Sequence, residues 1–287
     1  MDGLQGLGGL KDYPLARRGM LMTGLISGFT MAVSTVEAQV VHTDTTGIEA
    51  GEVKIPTTMG ELPGYYARPA GAGPFPVVLV IEEIFGVHEY IKDSCRRLAK
   101  LGYLAVAPEL YARIGDLSKM TDVSAIVRDV ISKTPDAQLL SDLDSAAKWA
   151  GGNKGDTARM GVTGWCRGGR NTWLYAAHNP ALKAAVAWYG PIAGQPSDIQ
   201  PKTVMDIAGD IKCPLLGLYG AQDTGIKVDD VKAAEAKAKA AGKTVEVMIY
   251  PDAPHGFHAD YRPSYRKADA DDAWARMQAW FKKYGVA

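Results

Sequence analysis

Residues 76–81 read Pro-Val-Val-Leu-Val-Ile, an unbroken apolar run set between a Gly/Pro-rich stretch and two glutamates. A strand inside a parallel sheet is covered by crossover helices on both faces, so it has no wet side and loses the apolar–polar alternation of an antiparallel strand. One such run therefore points to helices packed on both faces of a sheet. Further short apolar segments follow at 103–107, 159–163, 184–188, 214–219 and 245–250. Between and after them lie stretches with helical spacing at 90–101, 122–131, 137–150, 166–178, 228–241 and 269–283. In the first of these Ile91, Cys95, Leu98 and Leu101 share a stripe, and in the third Leu140, Leu143, Ala147 and Ala150 do. Ahead of them, 52–55 and 65–68 read as a short hairpin around Met59-Gly60. The alternation predicts a doubly wound, mostly parallel α/β sheet with helices on both faces. No repeat or low-complexity linker follows residue 50, so residues 51–287 read as one domain.

Composition narrows the function classes. The 287 residues carry 32 Lys+Arg against 32 Asp+Glu, with 47% hydrophobic and 22% charged residues. That apolar share supports a sizeable core and argues against intrinsic disorder. Zero net charge without a basic run removes the footprint of a nucleic-acid binder. Cys95, Cys166 and Cys213 form neither a disulfide framework nor a CxxC zinc pattern. The Ala/Lys run at 232–243 reads as a solvated amphipathic helix rather than a binding feature. What remains is an enzyme or a small-molecule binder.

Residues 1–38 read as an export address. Arg17-Arg18 precede an apolar run from Met20 to Val33, and Val36-Glu37-Ala38 offers a small-residue cleavage site ahead of Gln39. The run is shorter than the roughly 20 residues that span a bilayer as a helix. Paired arginines with modest hydrophobicity (Thr23, Gly24, Ser27, Gly28, Thr30) favour the twin-arginine route, which carries folded proteins. The segment Ala16-Arg17-Arg18-Gly19-Met20-Leu21 lacks that signal's usual Ser/Thr and Phe, and an uncleaved membrane anchor is the competing reading. Cleavage after Ala38 removes Lys11, Arg17 and Arg18 with Asp2, Asp12 and Glu37, so the mature chain stays neutral. Residues 39–50 then read as a linker, and the mature chain as periplasmic or secreted without a stable membrane span.

The segment at 159–163 runs straight into Gly164-Trp165-Cys166-Arg167-Gly168-Gly169 and then a helix. This is the spacing of a nucleophile elbow, with cysteine where serine is usual. The turn is tight, and residues larger than glycine at 164 and 168 would clash with strand and helix. At a helix N-terminus the sulfur meets the positive end of the dipole, which favours a thiolate. The Arg167 backbone N–H is then a candidate oxyanion donor. A buried cysteine is more often packing, and that is the reading for Cys95 and Cys213 in their apolar periodic segments. The strand–turn–helix context selects Cys166.

An elbow nucleophile needs an acid and a histidine downstream, in that order. Asp223, in Gly220-Ala221-Gln222-Asp223, follows the carboxyl end of an apolar strand, where catalytic groups of open sheets collect. Its plainer alternative is a loop or cap aspartate. His255, in Pro254-His255-Gly256-Phe257, follows the next strand and reads as a general base. His255 with His258 offers a metal pair, but the spacing is loose and no third ligand is visible nearby. Neither a metal nor a cofactor is expected.

With these residues placed, the chain from about 64 to 284 resembles the dienelactone hydrolases (carboxymethylenebutenolidases). The ordered marks are Glu82-Glu83-Ile84-Phe85-Gly86-Val87, Pro108-Glu109-Leu110-Tyr111, Gly164-Trp165-Cys166-Arg167-Gly168-Gly169, Ala187-Trp188-Tyr189-Gly190, Gly220-Ala221-Gln222-Asp223 and Pro254-His255-Gly256-Phe257. The resemblance implies an α/β-hydrolase fold and a Cys166–His255–Asp223 triad. It also implies that Glu83 holds the resting thiol and that the Ile84 backbone N–H is the second oxyanion donor beside Arg167. Glu83 itself is a carboxylate ending an apolar strand, where burial needs a partner. Its neighbour Glu82 should face the other way.

Well-known members of the family grip a substrate carboxylate with two arginines, but no motif here fixes those positions. Arg113, Arg128 and Arg262 lie in segments that could reach the site, with a surface role the plainer reading of each. The expectation is a cofactor-free hydrolase of a small ester, lactone or thioester, acting through Cys166 and an acyl-enzyme. A non-catalytic binding protein on the same fold, or a peptidase or acyltransferase of the same class, remains open, and oligomeric state is not legible.

Overall fold

The computed structural model describes residues 41–287. The expected export signal at 1–38 lies outside the described residues. The strands are β1 (Ile48–Thr57), β2 (Gly60–Pro69), β3 (Phe75–Ile81), β4 (Leu104–Pro108), β5 (Gly155–Trp165), β6 (Ala184–Trp188), β7 (Leu215–Gly220) and β8 (Val245–Tyr250). They form one sheet in the order β1-β2-β4-β3-β5-β6-β7-β8. The β1–β2 and β2–β4 pairs are antiparallel, and every pair from β4 to β8 is parallel. The long helices are α1 (Glu89–Lys100), α2 (Asp136–Gly152), α3 (Arg167–His178), α4 (Val228–Ala240) and α5 (Lys267–Lys283).

The apolar runs occupy the middle of this sheet, as their composition requires. Val77 to Ile81 of β3 and all of β6 are completely buried, which leaves no face for a polar residue to occupy. Each fully buried Val, Leu or Ile there contributes about 1.5–3 kcal/mol of transfer free energy. The chain goes from β3 to β4 on one side of β3, then returns to place β5 on the other. At such a reversal the loops leaving the carboxyl ends of the two strands diverge and open a crevice. Residues after β3 and the turn after β5 both lie there.

Three features depart from the sequence reading. The hairpin strands are longer, and β1 begins at Ile48, inside the segment expected as a linker over 39–50. The described part of that segment is strapped to α1. The Thr43 N–H reaches Asp93 Oδ1 at 2.6 Å, Arg96 Nε donates to the Thr43 carbonyl at 3.0 Å, and Lys100 Nζ donates to the Thr46 carbonyl at 2.7 Å. Side-chain-to-backbone bonds of this kind leave no hydrophobic period to detect. Second, the helix expected over 122–131 is irregular. Asp122 caps the N–H groups of Ser124 and Ala125, but the helical bonding widens over Ile126–Val130 and tightens over Ile131–Lys133. Third, a short helix, Val204–Ile207, lies in a stretch read as loop, opened by a capping box between Thr203 and Asp206.

Candidate active site

Cys166 sits between β5 and α3 at φ 56° and ψ −119°, a strained conformation for a residue other than glycine. Its N–H donates to the Trp188 carbonyl at 3.0 Å, and its carbonyl accepts the Gly169 N–H at 2.9 Å. The surroundings leave no room for side chains beside it. A Cβ at Gly168 would stand 2.3 Å from the Ile81 carbonyl oxygen, and one at Gly164 would stand 2.5 Å from that of Gly168. Strand β3 and the elbow therefore approach backbone to backbone, which brings the end of β3 against the cysteine.

Asp223 and His255 arrive from the ends of β7 and β8. His255 Nδ1 lies 2.6 Å from Asp223 Oδ2, and the other Asp223 oxygen accepts the N–H groups of Gly225 and Ile226 at 2.8 and 3.0 Å. The aspartate side chain is only 2% exposed. Cys166 lies close enough to the same ring to act on its charge. Burial works against an imidazolium here, but Asp223 and Cys166 overcome it and raise the His255 pKa to about 10. Tyr189, itself at φ 36°, stands edge-on to the imidazole at 5.1 Å. Cys166, His255 and Asp223 thus form one connected constellation.

Glu83 is placed differently from the expectation that it holds the thiol. Its carboxylate is taken up by Arg262 Nη2 at 3.0 Å, the Tyr261 hydroxyl at 2.6 Å and His88 Nε2 at 3.1 Å. Burial alone would raise its pKa, but Arg262, His88 and Tyr261 hold it down at about 2. Arg262, read as a surface residue from sequence, is 1% exposed and lies over the Phe85 ring at 5.1 Å. The other two arginines are engaged away from the constellation. Arg113 forks onto Asp142 at 2.9 and 3.3 Å and reaches the Met59 carbonyl, while exposed Arg128 pairs with Asp129.

Glu82 turns to the opposite side of the strand end and accepts the Leu110 N–H. Ile84 is buried in the tight loop closed by the Glu83–Gly86 bridge. The Arg167 side chain donates from Nη2 to Gln200 Oε1 at 2.6 Å, and burial with nearby Arg170 lowers its pKa. Gln200 in turn donates to the carbonyls of Ile131 and Thr134, closing the end of the irregular helical segment. A shallow cleft lined by Arg167, Ile192, Gln200, Lys202 and Thr203 lies on that side.

His255 and His258, weighed in the sequence and set aside as a metal pair, have separate surroundings. His258 lies 4.5 Å from Trp188 and 5.4 Å from Trp274, with Nδ1 2.6 Å from the Tyr90 hydroxyl. Burial and nearby Arg97 depress its pKa to about 3, so it stays neutral. Cys95 and Cys213 are free, buried thiols raised by burial, the second to about 12. Sequence reasoning missed His88, Tyr261 and Gln200. The first lies five residues after Glu83 in the same loop, a position that could have singled it out; the others reach the site by hydrogen bonds between segments far apart in sequence.

A cysteine on a strained strand–helix turn, with histidine and aspartate from later strand ends of a doubly wound sheet, defines an α/β-hydrolase. The Dienelactone hydrolase family model matches residues 62–285, and the chain belongs to that family, hydrolases of the ester and lactone type. A protein of Methylorubrum extorquens provisionally named a carboxymethylenebutenolidase is 58% identical over 275 residues, 95% of this chain and 94% of that one. An Escherichia coli K12 protein with the same provisional name is 52% identical over 260 residues, 90% and 96% of the two chains. The crystal structure of a provisionally named dienelactone hydrolase from Klebsiella pneumoniae subsp. pneumoniae MGH 78578 superposes with a TM-score of 0.81. It is 53% identical and covers 83% of this chain and 99% of its own. Among the described residues no helix is long and apolar enough to cross a membrane.

Proposed function

We propose that this hydrolase cleaves a small ester or lactone through Cys166. The observation that carries the reading is Cys166 on its strained elbow beside His255, whose Nδ1 is held by Asp223 at 2.6 Å. The sulfur attacks the carbonyl carbon, and the backbone amides of Ile84 and Arg167 stabilise the oxyanion. Collapse breaks the C–O bond, His255 protonates the departing alkoxide, and an acyl-thioester remains on Cys166. Water, deprotonated by His255, then attacks that thioester and releases the acid and the cysteine. Asp223 keeps the imidazole in one tautomer and stabilises its cation. Glu83, gripped by Arg262, Tyr261 and His88, orders the loop that carries Ile84.

Engagement of Arg113 by Asp142 and of Arg262 by Glu83 favours an acyl group recognised by shape over one gripped at a carboxylate. The chain acts outside the cytoplasm on this reading, because Arg17-Arg18 and the apolar run after them supply an export signal. The test is a panel of small lactones and aryl esters with the mature protein and Cys166→Ala. Wild type should release acid, and the variant should lose about a million-fold in turnover, as when one member of a catalytic unit is removed. Activity within tenfold of wild type sinks the nucleophile assignment, and amine or alcohol acylation products would point to a peptidase or transferase instead.

A further inference from the structure

A pair of carboxyl groups outside the triad ties together the loops leaving β3 and β4. Glu82 follows β3, and its fully buried side chain crosses to the other loop, where Oε1 accepts the Leu110 N–H at 2.8 Å. Glu109 follows β4 and crosses the opposite way, its Oε1 accepting the Val87 N–H at 3.1 Å. Glu82 Oε2 is buried and meets no N–H or O–H donor among the described residues, which leaves the neighbouring Glu109 carboxyl as the group for it to hydrogen-bond. Carboxylates are acceptors only, so that bond exists only when one of the two carries a proton.

The charges around the pair agree with one retained proton. Glu82 faces Glu109 and backbone N–H groups, while Glu109 faces Lys92 of α1 and Glu52 of β1. The single lysine is offset by a glutamate, and no cation reaches Glu82 among its main neighbours. Burial and the adjacent carboxyl raise the pKa of Glu82 well above the ordinary value, and burial raises that of Glu109.

We propose that Glu82 and Glu109 share one proton at neutral pH, and that this protonated pair clasps the loop at 83–87 to the loop at 109–111. The clasp positions the loop that carries the Ile84 amide beside Cys166. Gly86 shows how closely the loops fit, since a Cβ there would stand 3.1 Å from Glu109 Oε2. The second loop is anchored in turn to the elbow helix, where Asn171 Nδ2 donates to the Tyr111 hydroxyl at 3.0 Å. Both glutamates are positioning residues. The effect on turnover rests on the role given above to Ile84, whereas the shared proton does not.

The test is infrared spectroscopy of the full chain, with turnover measured on the same preparations. The wild-type minus Glu82→Gln difference spectrum at pH 7 should show the carbonyl stretch of a neutral carboxylic acid, shifted on deuteration. Glu82→Gln should keep kcat within about threefold, because its amide N–H replaces the acid O–H as donor to Glu109. Glu109→Leu, at the less buried partner, should fold yet lose at least about tenfold in kcat with KM little changed, since it frees Val87 without touching substrate. Absence of the acid band overturns the shared proton whether or not any substrate is turned over. A folded Glu109→Leu variant with wild-type kcat, or a Glu82→Gln variant losing more than about tenfold, overturns the positioning role.

Discussion

Glu83→Gln places a neutral amide against a guanidinium that, among the described residues, has no other carboxylate within 4 Å. The Arg262 and Glu83 side chains are 1% and 0% exposed, so solvent screens their attraction very little. Removing one partner of such a buried pair costs about 3–5 kcal/mol, because the remaining charge stays desolvated and uncompensated. The pH dependence gives a second handle. Glu83 titrates at about 2 in the folded chain against an ordinary 4.5, a difference worth about 3 kcal/mol of folding free energy. Because the folded value is the lower one, that contribution is complete above the unfolded value and is lost as the pH falls from 4.5 toward 2. About 2 kcal/mol of it should be gone by pH 3. Urea unfolding of wild type and Glu83→Gln from pH 7 to pH 3 measures this directly. The gap in stability should be about 3–5 kcal/mol at neutral pH and narrow by about 2 kcal/mol at the acid end. A gap that stays constant across the range would refute the ion pair as the state of Glu83.

Asp223→Asn removes the carboxylate that helps hold His255 near pKa 10, so the imidazole should titrate at lower pH by NMR and turnover should fall about ten-thousand-fold; an unmoved titration would contradict the pairing. For wild type itself, the raised His255 value means that this residue's contribution to stability is full below about 6.5 and declines as pH rises through about 10, and thermal melts should show that decline reduced in Asp223→Asn. Gly168→Ala drives a methyl group into two backbone carbonyls, and melting should report a loss of about 3 kcal/mol or more; a wild-type melt would show that the elbow can open. Replacing Arg17-Arg18 by a lysine pair should keep the protein in the cytoplasm, and unchanged recovery of mature protein from the periplasm would exclude the twin-arginine route.

The parts of the fold legible in sequence are those governed by burial and by tight turns. The strand at 76–81 is apolar because two layers of helix cover it, and the glycines around Cys166 are required by backbone contact, so each leaves a direct mark in the residues. Asp223 and His255 stand after successive strand ends in the order read from sequence, and the fold brings their side chains together. Arg262 was misjudged for the opposite reason. Its charge suggested solvent, and only the folded chain brings it to Glu83 from 179 positions away. The irregular helix at 123–133 was also beyond a periodic reading, since Gln200 satisfies carbonyls that a regular helix would satisfy itself. The strap ahead of β1 depends on side chains of α1 bonding backbone, which no local pattern encodes.

The three cysteines are free and buried, on α1, at the elbow and just before β7. No covalent cross-link therefore has to be made, chosen or repaired for the chain to reach its final form. The described fold therefore does not depend on an oxidising surrounding to close a disulfide. Burial also keeps the Cys95 and Cys213 thiols protonated at neutral pH, which makes them slow partners in thiol exchange. On the proposed reading Cys166 is the reacting sulfur, and the other two thiols do not compete with it.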